Sequence, residues 1–113
     1  MKEKCYHRKL IRDKIPEIIK ASNGEFETRV MDDIEFEKEL KKKLIEESEE
    51  VAMAAKNEIP NELADVLEII KSISSHYKIN FSDIEKLQIE RKKKRGAFKK
   101  KLFLIWSTGQ SKK

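Results

Sequence analysis

Cysteine, glycine, proline and long apolar runs are all scarce in this chain. It has 1 Cys, 3 Gly and 2 Pro among 113 residues. Cys5 has no second cysteine for a disulfide and no pairing that suggests a zinc site. The most apolar run, Leu102 to Trp106, is far shorter than the roughly 20 residues of a membrane span. The basic N-terminus also lacks the apolar stretch of a signal peptide. These absences predict a soluble, cytoplasmic protein without a membrane partner.

Charge dominates what is present. Charged residues make up 42% of the chain and hydrophobic residues 38%, with a net charge of +5. A chain so polar and so poor in turn residues favours helices with heavily charged outer faces. Its length suits one ordinary domain with a modest core. We predict a single domain over residues 1–106 and a disordered tail over 107–113.

Helix-stop signals and capping signals define the first and last of four predicted helices. The first is predicted to be capped by Asp13 and to stop at Asn23-Gly24. The last opens on a capping box in which Ser82 is followed three residues later by Glu85. It should end near Gly96.

The second and third helices are predicted from hydrophobic spacing. The second begins after Asp32 or Asp33 and runs to about Lys56. A break over 57–60 separates it from the third. The apolar stripes of the two helices are Leu40, Leu44, Val51 and Ala55, and Leu63, Val66, Ile70, Ile73 and Tyr77. Because the connection is short, the two helices should be antiparallel neighbours at the centre of an all-α, four-helix-bundle-like fold.

Each central helix carries two acids three residues apart, a spacing that places side chains on one face. At about 100° per residue, Glu47 falls within the apolar stripe of the second helix and Glu50 at its edge. Glu62 lies at the edge of the third helix's stripe, and Asp65 lies about one-sixth of a turn beyond. Both helices therefore direct carboxylates toward their shared seam.

Four carboxylates at a seam repel one another and are costly to desolvate unless protons or cations neutralise them. Oxygen ligands without histidine or cysteine favour Mg²⁺ or Mn²⁺ over zinc. Since Mg²⁺ keeps positions for waters and substrate phosphates, the site predicts a phosphate-bearing substrate. Glu46 flanks the stripe, and its spacing leaves open a further ligand, a group that activates water, or exposed surface.

Three motifs in this order resemble the MazG-type all-α nucleoside triphosphate pyrophosphohydrolases, in their phosphoribosyl-ATP pyrophosphohydrolase-like branch. The first is Lys9-Leu10-Ile11-Arg12-Asp13-Lys14-Ile15-Pro16-Glu17-Ile18-Ile19. The second is Glu46-Glu47-x-x-Glu50 followed by Glu62-x-x-Asp65. The third is Lys94-Arg95-Gly96-Ala97-Phe98, where Ala97 stands in place of the family's second glycine. Together the motifs cover most of residues 6–105.

The resemblance implies Mg²⁺-dependent hydrolysis of a nucleoside triphosphate between its α- and β-phosphates, often in nucleotide-pool house-cleaning. Glu47, Glu50, Glu62 and Asp65 would hold the metal, and Glu46 would orient the attacking water. The implied triphosphate contacts, which could equally be a solvated basic face, are Lys9, Arg12, Lys14, Lys94 and Arg95. The core should be thin, and members of the family commonly form dimers or larger oligomers. We therefore predict a homodimer or higher oligomer.

A basic strip, Arg91 to Lys101, supports a rival interpretation. It carries eight Lys or Arg residues and no acid, which suits a nucleic-acid-binding or interaction module without catalysis. Nucleic acid is the less favoured partner, because this interpretation leaves the four seam acids unexplained and offers only Phe98 and Phe103 as interleaved aromatics. A third possibility is a protein that has this fold but no catalytic activity. We expect His76 and Trp106 to have packing roles.

Overall fold

The computed structural model describes residues 3–109, and every regular element in that range is helical. The four α-helices are α1 (Ile15–Ala21), α2 (Asp33–Met53), α3 (Ile59–His76) and α4 (Phe81–Arg95), with a 3-10 turn, Lys56–Glu58, before α3. The predicted all-α class is therefore confirmed. The described chain divides into two compact units between Ile79 and Asn80. No helix among the described residues combines the length and apolar character needed to cross a membrane.

The start of α2 follows its prediction. Asp32 is the N-cap, and its side chain accepts a 2.8 Å hydrogen bond from the backbone N–H of Glu35. Such a bond satisfies one of the unpaired donors of the first turn. The Arg29 guanidinium then donates to both oxygens of Glu35, at 2.7 Å each. The helix ends at Met53, before the predicted Lys56, because Ala54 is already extended.

Two predicted N-caps are wrong. The N-cap of α1 is Lys14, which makes no side-chain capping bond, so Asp13 lies outside the helix. The N-cap of α4 is Asn80. Ser82 is therefore already helical, and the capping box with Glu85 does not form. A residue inside the helix lacks the extended backbone through which an N-cap side chain reaches the first-turn N–H groups.

The stop signals at Gly24 and Gly96 are confirmed. After α1, the Gly24 N–H donates to the carbonyl of Ile19 at 2.9 Å. A Cβ on Gly24 would lie only 2.7 Å from Cγ2 of Ile19, so a larger residue here would force the Ile19 side chain or the backbone to shift. Gly96 ends α4 with a φ of 82°, in the region that side chains disfavour.

The α2–α3 hairpin is the main packing unit of the described chain. Its only buried hydrophobic side chains are Leu40 and Ile69. The two helices are antiparallel, since Glu37 near the start of α2 meets Tyr77 just after α3, whereas the end of α2 faces the start of α3. This confirms the predicted antiparallel pair, and the four-helix-bundle arrangement stays a prediction.

Glu37 fastens the start of α2 to the end of α3. It accepts hydrogen bonds from the Tyr77 hydroxyl and from Lys41 Nζ, the latter at 3.2 Å. His76 Nε2 lies 3.5 Å from its other carboxylate oxygen, and the His76 ring meets Phe36 edge-on. The Tyr77 hydrogen bond foremost, then the Lys41 and His76 interactions, lower the pKa of Glu37. His76 thus has a packing and pairing role, away from the predicted metal ligands.

This network predicts an acid-sensitive contribution to stability. A carboxyl whose folded-state pKa is lowered stabilises the fold above its unfolded-state pKa of about 4.3, and this stabilisation is lost as the pH falls through the folded-state value. We therefore expect the melting temperature of Glu37→Gln to fall less than that of wild type on acidification below about pH 5. Thermal melts across this pH range would measure the difference. The control is Glu49→Gln, which removes an exposed acid from the same helix and should lose melting temperature on acidification as wild type does. If this control lost as little as Glu37→Gln, the acid sensitivity would not be due to Glu37.

Candidate metal centre

Three of the four predicted ligands form a cluster between α2 and α3. Glu47, Glu62 and Asp65 each offer one carboxylate oxygen, and these oxygens lie within 4.8 Å of one another. All three residues are half-buried. Glu62 and Asp65 lie in the first two turns of α3, three residues apart on one face, and Glu47 faces them from the C-terminal half of α2. We call these residues the acid cluster.

Glu50 lies at the margin of the acid cluster. It is exposed, and it does not belong to the group of oxygens within 4.8 Å. Its charge nevertheless contributes to the raised pKa of Glu62, more than the charges of Asp65 or Glu47 do. The structure thus places Glu50 close enough to add negative charge, and its role as a direct ligand stays a prediction.

Glu62 is the residue of the acid cluster whose ionised form is disfavoured. Burial raises the pKa of Glu62 above its usual value, and the neighbouring carboxylates of Glu50, Asp65, Glu47 and Glu58 raise it further. Both causes disfavour the ionised carboxylate. A cation among these oxygens would reverse that preference, because it attracts the charges that now repel one another.

Two basic side chains already partner the acid cluster. Arg12 Nη2 lies 2.8 Å from Asp65 Oδ1, and Lys43 Nζ lies 3.8 Å from Glu47 Oε1. Neither pairing is among the sequence predictions. The Lys43 pairing had a readable signal, since residues four apart on a helix are neighbours. The Arg12 pairing had none, because it joins residues 53 positions apart.

Glu46, the predicted water-orienting base, lies outside the acid cluster. It is half-buried and lines a small surface depression. The other residues around the depression are Lys9, Leu10, Glu39, Lys42 and Lys43. Lys43 of this depression also contacts Glu47, so the depression lies beside the acid cluster.

The predicted triphosphate contacts occupy several places. Lys9 is exposed beside α2, and exposed Arg12 reaches α3. Lys14 is the exposed N-cap of α1. Lys94 and Arg95 are exposed in the last turn of α4, which belongs to the second compact unit.

The donor chemistry of the acid cluster suits a hard divalent cation. All the candidate donors are carboxylate oxygens, the ligand type that Mg²⁺ and Mn²⁺ prefer. Oxygens bound to one Mg²⁺ at about 2.0–2.1 Å lie roughly 3–4 Å from one another. The three oxygens lie within 4.8 Å of one another, so side-chain rotation could bring them around one ion. The cluster can hold a metal ion.

No protein-family model, curated protein or solved structure matches this chain. Nothing in these comparisons links it to the MazG-type pyrophosphohydrolases. The resemblance remains a prediction that depends on the three motifs quoted above.

Proposed function

We propose that this protein is a Mg²⁺-dependent nucleoside triphosphate pyrophosphohydrolase that converts an NTP or dNTP to the monophosphate and pyrophosphate. The observation that carries the proposal is the acid cluster, three carboxylates within 4.8 Å on two antiparallel helices. Nearby basic side chains and the family motifs supply the rest of the support. A nucleotide substrate suits a cytoplasmic house-cleaning role.

In the proposed reaction, one water molecule adds across the α–β phosphoanhydride. Glu47, Glu62 and Asp65 would hold Mg²⁺, with Glu50 as the fourth predicted ligand. When bound, Mg²⁺ or Mn²⁺ would supply positive charge for the phosphates and would make a coordinated water more acidic. Glu46 orients the attacking water and accepts its proton. Lys9, Arg12 and Lys14 would hold the triphosphate. Lys94 and Arg95 belong to the second compact unit, and their contact with phosphate stays a prediction.

The test is a screen of canonical and modified NTPs and dNTPs, scored by release of pyrophosphate. We expect at least one nucleotide to yield equal amounts of monophosphate and pyrophosphate, with hydrolysis stopped by a chelator and restored by Mg²⁺ or Mn²⁺. Release of inorganic phosphate with a nucleoside diphosphate would place the cleavage at the wrong bond. Hydrolysis of no nucleotide, or hydrolysis that persists in the chelator, would overturn the proposal.

The proposal includes a homodimer or higher oligomer. Among the described residues, only Leu40 and Ile69 are buried hydrophobics, whereas Val30, Ile34 and Met53 are more than four-fifths exposed. A second copy that covered such side chains would enlarge the core and could complete a four-helix bundle with its own hairpin. Light scattering should therefore give at least twice the chain mass, and a monomer with full hydrolytic rate would contradict this part.

One observation favours the rival function. Every residue of the basic strip is exposed, and so are Phe98 and Phe103. A nucleic-acid-binding or interaction module would use this surface without the acid cluster. The pyrophosphate screen separates the two functions, because such a module releases no pyrophosphate.

A further inference from the structure

Arg12 makes the only described ion pair that joins the segment before α1 to the acid cluster. Its Nη2 lies 2.8 Å from Asp65 Oδ1. The other cationic partner, Lys43, belongs to the same helix as Glu47 and lies farther from it, at 3.8 Å. Arg12 is therefore the close counter-charge that reaches the cluster from outside the α2–α3 hairpin.

The backbone near Arg12 is held in place. Lys9 and Leu10 line a depression together with four residues of α2, so the chain lies against that helix just before Arg12. The carbonyl of Arg12 then accepts a 3.1 Å hydrogen bond from the N–H of Ile15, the first residue of α1. These contacts fix the position of the Arg12 backbone, from which the side chain extends.

The Arg12 side chain is exposed to solvent. Its exposed fraction is 56%, and that of Asp65 is 43%. An ion pair with both members this accessible to water contributes little net stability, because solvent screens it and replaces it readily. A divalent cation that also contacts Glu47 and Glu62 attracts the Asp65 carboxylate more strongly than one guanidinium does.

We propose that Arg12 is a displaceable counter-ion of the metal site. It pairs with Asp65 in the metal-free protein, releases that carboxylate when metal binds, and then pairs with the phosphates that arrive with the metal. This inference rests on the proposed function and adds an order of events to it. The released guanidinium suits phosphate, since both groups form paired, charge-assisted hydrogen bonds.

Such a side chain has opposite effects on the two ligands. While paired with Asp65, Arg12 competes with the metal, so its removal should tighten metal binding. When paired with phosphate, Arg12 assists the nucleotide, so its removal should weaken nucleotide binding. A merely structural Arg12 would weaken both on removal, because the site itself would loosen.

The experiment measures Mn²⁺ binding to the whole protein by calorimetry, and then the KM for the nucleotide at saturating Mn²⁺. We expect Arg12→Gln to bind Mn²⁺ alone about two- to fivefold more tightly than wild type, the range expected when an exposed ion pair no longer competes. The KM should rise by about tenfold for loss of a charged hydrogen bond to phosphate. Arg12→Lys keeps a cation, so its Mn²⁺ affinity and its KM should lie between those of wild type and those of Arg12→Gln.

The control is Lys20→Gln, which removes the same charge from exposed α1 and should leave Mn²⁺ affinity unchanged. Equal gains in Mn²⁺ affinity in both variants would overturn the displacement, since general charge would explain them. Unchanged or weaker Mn²⁺ binding in Arg12→Gln alone would overturn it as well. Wild-type protein that binds no Mn²⁺ would overturn the proposed function together with this inference, whereas the other outcomes leave that function standing.

Discussion

Replacing Glu47 by Gln is expected to reduce kcat/KM for nucleotide hydrolysis at least about 100-fold, the scale of losing a principal charge-stabilising group. Glu47 supplies the only α2 oxygen of the acid cluster. Its side chain is only 18% exposed, so few waters could replace it. Gln keeps the shape and offers a neutral carbonyl oxygen, a weaker ligand for Mg²⁺. Pyrophosphate release under identical metal and nucleotide concentrations would measure the loss.

Two neighbouring glutamates on α2 provide matched controls for Glu47→Gln. Glu49→Gln makes the same chemical change at an exposed position outside the acid cluster, and should keep the wild-type rate. Glu50→Gln should fall between the other two variants, because Glu50 is exposed yet close enough to influence Glu62. Circular dichroism would establish that all three variants fold. A folded Glu47→Gln protein with wild-type activity would remove Glu47 from the site.

The central hairpin could be predicted from the sequence because its signals are local. Asp32 caps α2 through a bond to a residue three positions away, and the short break before α3 forces an antiparallel return. The acid spacing then places Glu62 and Asp65 on one helix face. Helical periodicity contains this information, so the seam position of Glu47 followed from the same projection.

The caps of α1 and α4 illustrate where local signals compete. Asp13 and Ser82 are both good N-cap residue types, but the helices begin one or two residues away from the predicted positions. At α4, the N–H of Asp83 donates to the Asn80 carbonyl at 3.0 Å. Asn80 is also a favourable N-cap type, so residue preference alone did not select between it and Ser82.

Long-range pairing could not be predicted from the sequence, although it gives a residue of the acid cluster a cationic partner. The motif predicts that Arg12 contacts phosphate, and the structure shows it paired with Asp65. The helical projection of α2 predicts that Glu46 lies beside the apolar stripe. It does not predict that Glu46 lines a depression together with Lys9. Both contacts depend on the path of the chain before α1, for which helical periodicity carries no information.

Replacing Glu62 by Gln is expected to have opposite effects on stability without and with metal. In the metal-free protein, burial and the surrounding carboxylates raise the pKa of Glu62. A carboxyl with a raised folded-state pKa costs stability as the pH rises through that value, because the folded protein must then give up a proton that it holds more tightly than the unfolded chain. Gln carries no charge, so the variant should melt at a higher temperature than wild type in a chelator at neutral pH.

With metal the order of the two melting temperatures should reverse, because Glu62 is one of the proposed ligands. Metal at about 100 times its Kd stabilises a native state by about 2.7 kcal/mol, which raises the melting temperature of a domain of this size by roughly 10 °C or more. Glu62→Gln should lose most of that increase. Thermal melts in chelator and in millimolar Mg²⁺ or Mn²⁺ would measure both effects, with Glu68→Gln, an exposed position on the same helix, as the control. Lower stability than wild type in chelator would contradict the charge repulsion, and an undiminished response to metal would exclude Glu62 as a ligand.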